Sequence, residues 1–282
     1  MSDSDSTIAK DILNGKPKLL RGQIKLQVSY HTGNSPAIVF LHGGLGNRLN
    51  WRSQYEYFVD RGREVLAYDL AGHGQSSPYP KYSMGRHRRD LTRLLKSYKI
   101  KAPILCCHSY GVPLGLEWAR RHKATALVLI AGGTHDLAPW WEIPLMKFLA
   151  WGGRYLYLVP GVQQLTNRLS SDRANEITQF FAESPVPLEP EPYKALEIFW
   201  GFDFWNRGKS KRRQSDRHFR RLTVPILVIS GGNDPTFTRE MGDELTASLP
   251  NATHIHLPEA GHLLLAEYPE RVNQIISDFI SC

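Results

Sequence analysis

Only three cysteines occur in 282 residues, and two of them, Cys106 and Cys107, are adjacent. That scarcity excludes a disulfide framework. With no CxxC pair and no clustered histidine ligands, it also leaves no zinc signature. A reducing, cytoplasmic location is the expectation. Long apolar runs are missing too: stretches such as residues 126–131 fall far short of the about 20 residues a membrane-crossing helix needs. The first twenty residues carry Asp3, Asp5, Lys10, Asp11 and Lys16 and hold no apolar segment that could form the core of an export signal. Eighteen prolines and 23 glycines are scattered rather than clustered, which argues against low-complexity or collagen-like classes, and no internal repeat is visible.

What remains is a chain with 41% hydrophobic residues, enough for a substantial core. Its formal charge of +8 is concentrated. Between Arg207 and Arg221 eight cations stand against one acid, Asp216, and the remainder is nearly neutral. A solvated face is the plainest account of that run. Peripheral contact with an anionic membrane comes next, and nucleic-acid binding lacks any accompanying recognition fold.

Residues 23–30 alternate polar with apolar side chains (Ile24, Leu26, Val28, Tyr30), the pattern of a half-exposed strand near a sheet edge. Residues 37–41, 65–68, 104–108, 126–131 and 224–230 are short, mostly apolar runs, as strands covered on both faces should be. Segments with helical spacing separate them, for example Leu91, Leu94, Leu95 and Tyr98. Alternating strands and helices predict an α/β class, a mainly parallel sheet with helices on both faces. In such sheets ligands bind where the strands' carboxyl ends open. The rhythm breaks from residue 134 to 217, where no buried-strand run occurs and five of the seven tryptophans lie. The predicted organisation is an N-terminal extension (1–22), a core in two segments (23–133 and 218–282) and a helical cap or lid (134–217). Trp140, Trp141 and Trp200 are candidates to line a substrate pocket, or else form the lid's own core.

One apolar run ends at Cys107-His108-Ser109-Tyr110-Gly111 and is followed by residues able to continue as a helix, so Ser109 sits at the apex of a strand–turn–helix. This segment resembles the G-x-S-x-G nucleophile elbow of the α/β-hydrolase family, with Cys107 in place of the first glycine. The likeness runs from about Gln23 to Ile280. His42-Gly43-Gly44-Leu45-Gly46 is similar to the family's oxyanion loop, which implies backbone donors at Gly44 and Tyr110. Asp69-Leu70-Ala71-Gly72-His73-Gly74 resembles a structural turn of the same family.

A serine hydroxyl needs a base, and the base an orienting partner. Asp234 follows the run at 224–230, and His262 follows the expected strand at 253–257. The order Ser109, Asp234, His262 matches the family's nucleophile, acid and base. Asp136, also placed after a strand, is an alternative acid. His42 and His108 are read as structural, and Cys106 and Cys107 as small buried hydrophobes.

The resemblance implies a serine hydrolase, first of carboxylic esters including lipid esters, acting on a small-molecule or lipid substrate without metal or organic cofactor. Thioester, carbon–carbon bond and cofactor-free peroxidase chemistry stay open, as does a non-catalytic ligand-binding role.

Overall fold

The computed structural model describes residues 12–13, 15–20, 24–44, 46–79, 83–133 and 219–281. Among these, eight strands form one sheet: β1 (Lys16–Leu20), β2 (Ile24–His31), β3 (Asn34–Leu41), β4 (Arg63–Tyr68), β5 (Ile104–His108), β6 (Ala126–Ile130), β7 (Ile226–Gly231) and β8 (Ala252–Leu257). Their spatial order is β1-β2-β4-β3-β5-β6-β7-β8. β1 pairs antiparallel with β2, and β2 with β4; every other pairing is parallel. The chain therefore has the α/β-hydrolase architecture its sequence resembled. Residues 16–20, which the sequence pattern left in an N-terminal extension, instead supply the edge strand. Pro17 and two lysines suit an edge, where a missing N–H and outward charges are tolerated.

Alternation along the parallel strands explains the two-sided core. Val39, Leu41, Leu105, Cys107, Leu127 and Leu129 pack on one face against Leu91, Leu94 and Leu95 of helix α2 (Met84–Ser97) and Leu114 of α3 (Gly111–Ala119). Ile38, Phe40, Ile104, Cys106, Val128 and Ile130 pack on the other, against Tyr55 and Phe58 of α1 (Arg52–Asp60) and Val272 and Ile276 of α6 (Pro269–Ser281). Between them, α4 (Arg239–Ser248) joins the first face and α5 (Leu264–Glu267) the second. The adjacent cysteines thus point into opposite cores, and burial pushes both thiols up, leaving them protonated and inert.

Because the six strands β3 to β8 run parallel, the loops after β3, β5, β7 and β8 all leave the sheet at one edge. The sequence places Gly44, Ser109, Asp234 and His262 in those four loops. Trp140, Trp141, Trp200, Asp136 and the whole of 134–217 lie outside the described residues. So does the basic run as far as residue 218; its last two arginines, Arg220 and Arg221, are exposed.

Candidate active site

Ser109 follows β5 and has φ +50, a left-handed backbone that costs a non-glycine residue roughly 1–2 kcal/mol. Its N–H still donates to the Ile130 carbonyl of β6 at 2.9 Å, so the ladder continues into the turn. The next residue, Tyr110, heads α3. Forced between a strand and a helix that start and stop within one residue, the serine is pushed outward at the apex, and it is half-buried rather than sealed.

The departure at Cys107 has a local remedy. A Cβ added to Gly115, one turn into α3, would lie 2.4 Å from the Cys107 Sγ. The thiol occupies room that glycine leaves on the helix. Gly111 serves the closer approach, since a Cβ there would come within 2.5 Å of the Leu41 carbonyl oxygen. The oxyanion-type loop is near as well: a Cβ on Gly43 would fall 2.9 Å from the Ser109 Cβ.

His262 and Asp234 meet. The imidazole Nδ1–H donates to Asp234 Oδ2 at 2.8 Å, and Nδ1 also lies 2.9 Å from the Thr236 hydroxyl. Asp234 Oδ1 accepts from the Thr236 N–H (2.7 Å), the Thr236 hydroxyl (2.8 Å) and the Phe237 N–H (3.0 Å). Burial works to raise the Asp234 pKa. The His262 hydrogen bond and charge, with the two backbone donors, outweigh it and hold the carboxyl below its usual range. A carboxylate fixed this way keeps the proton on Nδ1 and leaves Nε2 as the acceptor.

Behind this pair, His108 Nε2–H donates to the His262 carbonyl at 2.8 Å, and the two rings lie 5.0 Å apart. The residue before the serine thus pins the base's loop to the end of β5. His42 donates through Nδ1 to the Gly43 carbonyl (2.7 Å) and accepts the Leu70 N–H (2.9 Å) at Nε2, which braces the glycine-rich loop. Both histidines are buried, and burial above all lowers each pKa to about 3, so they serve as neutral struts.

Two contributors escaped sequence reasoning. Thr236 supplies three of the contacts around Asp234 and His262, and the Asp-Pro-Thr spacing of an Asx-type turn is the signal that could have found it. Arg48 forms a buried ion pair with Asp69 at 2.8 Å, and that carboxylate also accepts the Gln75 N–H, so the turn at 69–76 is anchored from outside as well as within.

A second Ser–His–Asp alignment also exists. Ser230 Oγ lies 2.7 Å from His254 Nε2 and 2.9 Å from His256 Nδ1, and His254 Nδ1 lies 2.7 Å from Asp243 Oδ1. Distances alone would nominate it. Ser230 is 0% exposed within β7, however, with two imidazoles on its hydroxyl, so no carbonyl can reach it. It ties β7, β8 and α4 together.

The profile of the α/β-hydrolase fold matches residues 36–269. The chain belongs to that family. Human Protein ABHD8 is 26% identical over 264 residues, covering 86% of this chain and 54% of the relative, so the chain spans about half that protein's length. Among solved structures, a thermophilic esterase from Thermogutta terrifontis superposes with a TM-score of 0.70 at 23% identity, covering 95% of this chain and 98% of that one. A bromoperoxidase from Bacillus anthracis gives 0.69 at 18%, covering 95% and 100%. At these identities the solved structures show the shared α/β-hydrolase fold alone, and their two chemistries show how little that fold fixes the reaction.

Proposed function

We propose that this α/β-hydrolase cleaves a carboxylic ester, lipid esters included, through an acyl-enzyme on Ser109. The observation that carries this is the left-handed φ of Ser109 at the end of β5, one residue after His108, whose ring lies 5.0 Å from that of His262, a histidine with its Nδ1 locked onto a carboxylate. His262 Nε2 takes the hydroxyl proton as Ser109 Oγ bonds to the acyl carbon, and the carbonyl electron pair moves onto oxygen, held by the N–H groups of Gly44 and Tyr110. Collapse breaks the bond to the alkoxide, which leaves with the proton from His262. Water activated by the same imidazole then hydrolyses the acyl-enzyme and regenerates the serine.

A fluorophosphonate probe is expected to label Ser109, read by mass spectrometry of the peptide. p-Nitrophenyl esters from acetate to palmitate, run beside the corresponding acyl thioesters, give acyl length and bond preference. Ser230→Ala should leave labelling untouched. Absence of both labelling and turnover would sink the hydrolase reading in favour of a ligand-binding member of the fold.

Thr236→Val removes the hydroxyl shared by Asp234 and His262 while keeping the side-chain shape. A hydrogen bond of this kind is worth about 1–1.5 kcal/mol, so kcat should fall about tenfold with KM little changed, and Thr236→Ser should recover most of the loss. Steady-state kinetics of the three proteins checks it.

A further inference from the structure

At the opposite end of the sheet, where β5 and β6 begin, α2 and α3 end around a cleft of about 560 Å³. Its lining is mostly apolar: half-buried Ile100 lies over the buried edges of Leu95 and Trp118, beside the stems of the lysines. Four ammonium groups rim it, those of Lys96, Lys99, Lys101 and Lys123, and no carboxylate is among the lining residues. The remaining wall is tied together by side-chain contacts. Trp118 Nε1–H donates to Thr92 Oγ1 at 3.1 Å, and the His122 ring stacks on the indole at 4.6 Å and 14°.

The charge around this cleft is larger than the sequence average suggested. Residues 84–125 hold ten Lys or Arg against two acids, Asp90 and Glu117. Both acids are buried and already bonded, Asp90 to Tyr79 and Arg93, Glu117 to Arg120 and Arg121. The near-neutral balance outside residues 207–221 is therefore a cancellation between this face and an acidic excess elsewhere. Burial lowers the Arg88 pKa, and Arg121, Arg89 and Arg120 add to that lowering.

Lys99 adds a backbone observation. It follows the last turn of α2 with φ +59, and Ile100 N–H returns to the Leu95 carbonyl at 2.9 Å, closing a helix cap that ordinarily has glycine in this place. A lysine here is strained, and its side chain lines the cleft.

We propose that this cleft binds an organic anion, a phosphate or carboxylate head on an apolar body, at a site separate from Ser109. Inorganic phosphate alone would leave half-buried Ile100 and the apolar stems of the lysines in water, and a neutral hydrophobe would leave four cations with no counter-charge in the lining. The volume falls in the range of small-molecule sites, roughly 300–1,000 Å³. This inference does not depend on the hydrolase reading.

Calorimetric titration with decyl phosphate and with decanoate, each below its micelle concentration, tests it. One site per chain is expected for at least one of them, and the tighter ligand identifies the head group. Lys99→Glu combined with Lys123→Glu should weaken binding about tenfold or more. Lys16→Glu with Lys25→Glu, the same charge change at exposed positions outside the cleft, should leave it unaltered. The proposal fails if neither anion binds, if both double variants weaken binding alike, or if inorganic phosphate binds as tightly as decyl phosphate. It also fails if only vesicles of phosphatidylcholine with phosphatidylserine are captured, which would make the face a membrane surface.

Discussion

Replacing Ser109 with alanine is expected to reduce ester turnover by roughly four to six orders of magnitude and to abolish fluorophosphonate labelling, with circular dichroism unchanged. The loss is large because the proposed acyl-enzyme route disappears; what survives is whatever the proposed Gly44 and Tyr110 donors and substrate binding supply on their own. Folding should be preserved, since the two side chains differ by one oxygen and Ala pays the same backbone cost at φ +50. That cost offers an internal check. Ser109→Gly should melt higher than Ser109→Ala, because removing the Cβ relieves a left-handed backbone by about 1 kcal/mol more than glycine's extra unfolded-chain freedom takes away. If alanine at this position keeps wild-type turnover, the nucleophile lies elsewhere.

Mild acid should unfold the protein steeply. His42, His73, His87 and His108 are 0–2% exposed, and each has its pKa lowered to about 3, burial being the leading cause and neighbouring imidazoles adding to it. The unfolded chain titrates these groups near 6.5, so between about pH 6.5 and 3 it binds more protons than the folded protein. Stability from this source is intact above 6.5 and drains away as pH falls. Each histidine removes up to about 1.4 kcal/mol per pH unit, and four together remove roughly 7 kcal/mol between pH 7 and pH 5. Against a typical total of about 5–15 kcal/mol, that is enough to bring the unfolding transition near pH 5. Urea titrations at pH 7.5, 6.5 and 5.5 give the slope. A fall no steeper than one histidine's share would show that the four rings do not stay neutral as a group.

The central strands were legible because burial on both faces writes an unbroken apolar run, as at Ile104 to Cys107. The neighbourhood of Ser109 was legible for a different reason: a strand, a turn and a helix compressed into so few residues leave few alternatives at the apex. Asp234 and His262 could be picked out by chain order, and the structure joins them. Thr236 was missed because a threonine in a loop has no pattern of its own until the carboxylate beside it is placed. β1 was missed because Lys-Pro-Lys reads as a tether, although an edge strand tolerates it. The cations of α2 and the end of α3 were hidden in another way. They are interleaved with core leucines at helical spacing, and only folding sorts them onto one surface.

The contact between Cys107 and Gly115 carries a lesson about motif searching. In this elbow the space that the family pattern assigns to a glycine before the serine is left instead by Gly115, on the helix that follows the serine. The two positions share a single void, and either can fill it so long as the other stays small. A search that scores letters at fixed spacing penalises this chain, whereas one that scores the combined volume of both positions would not.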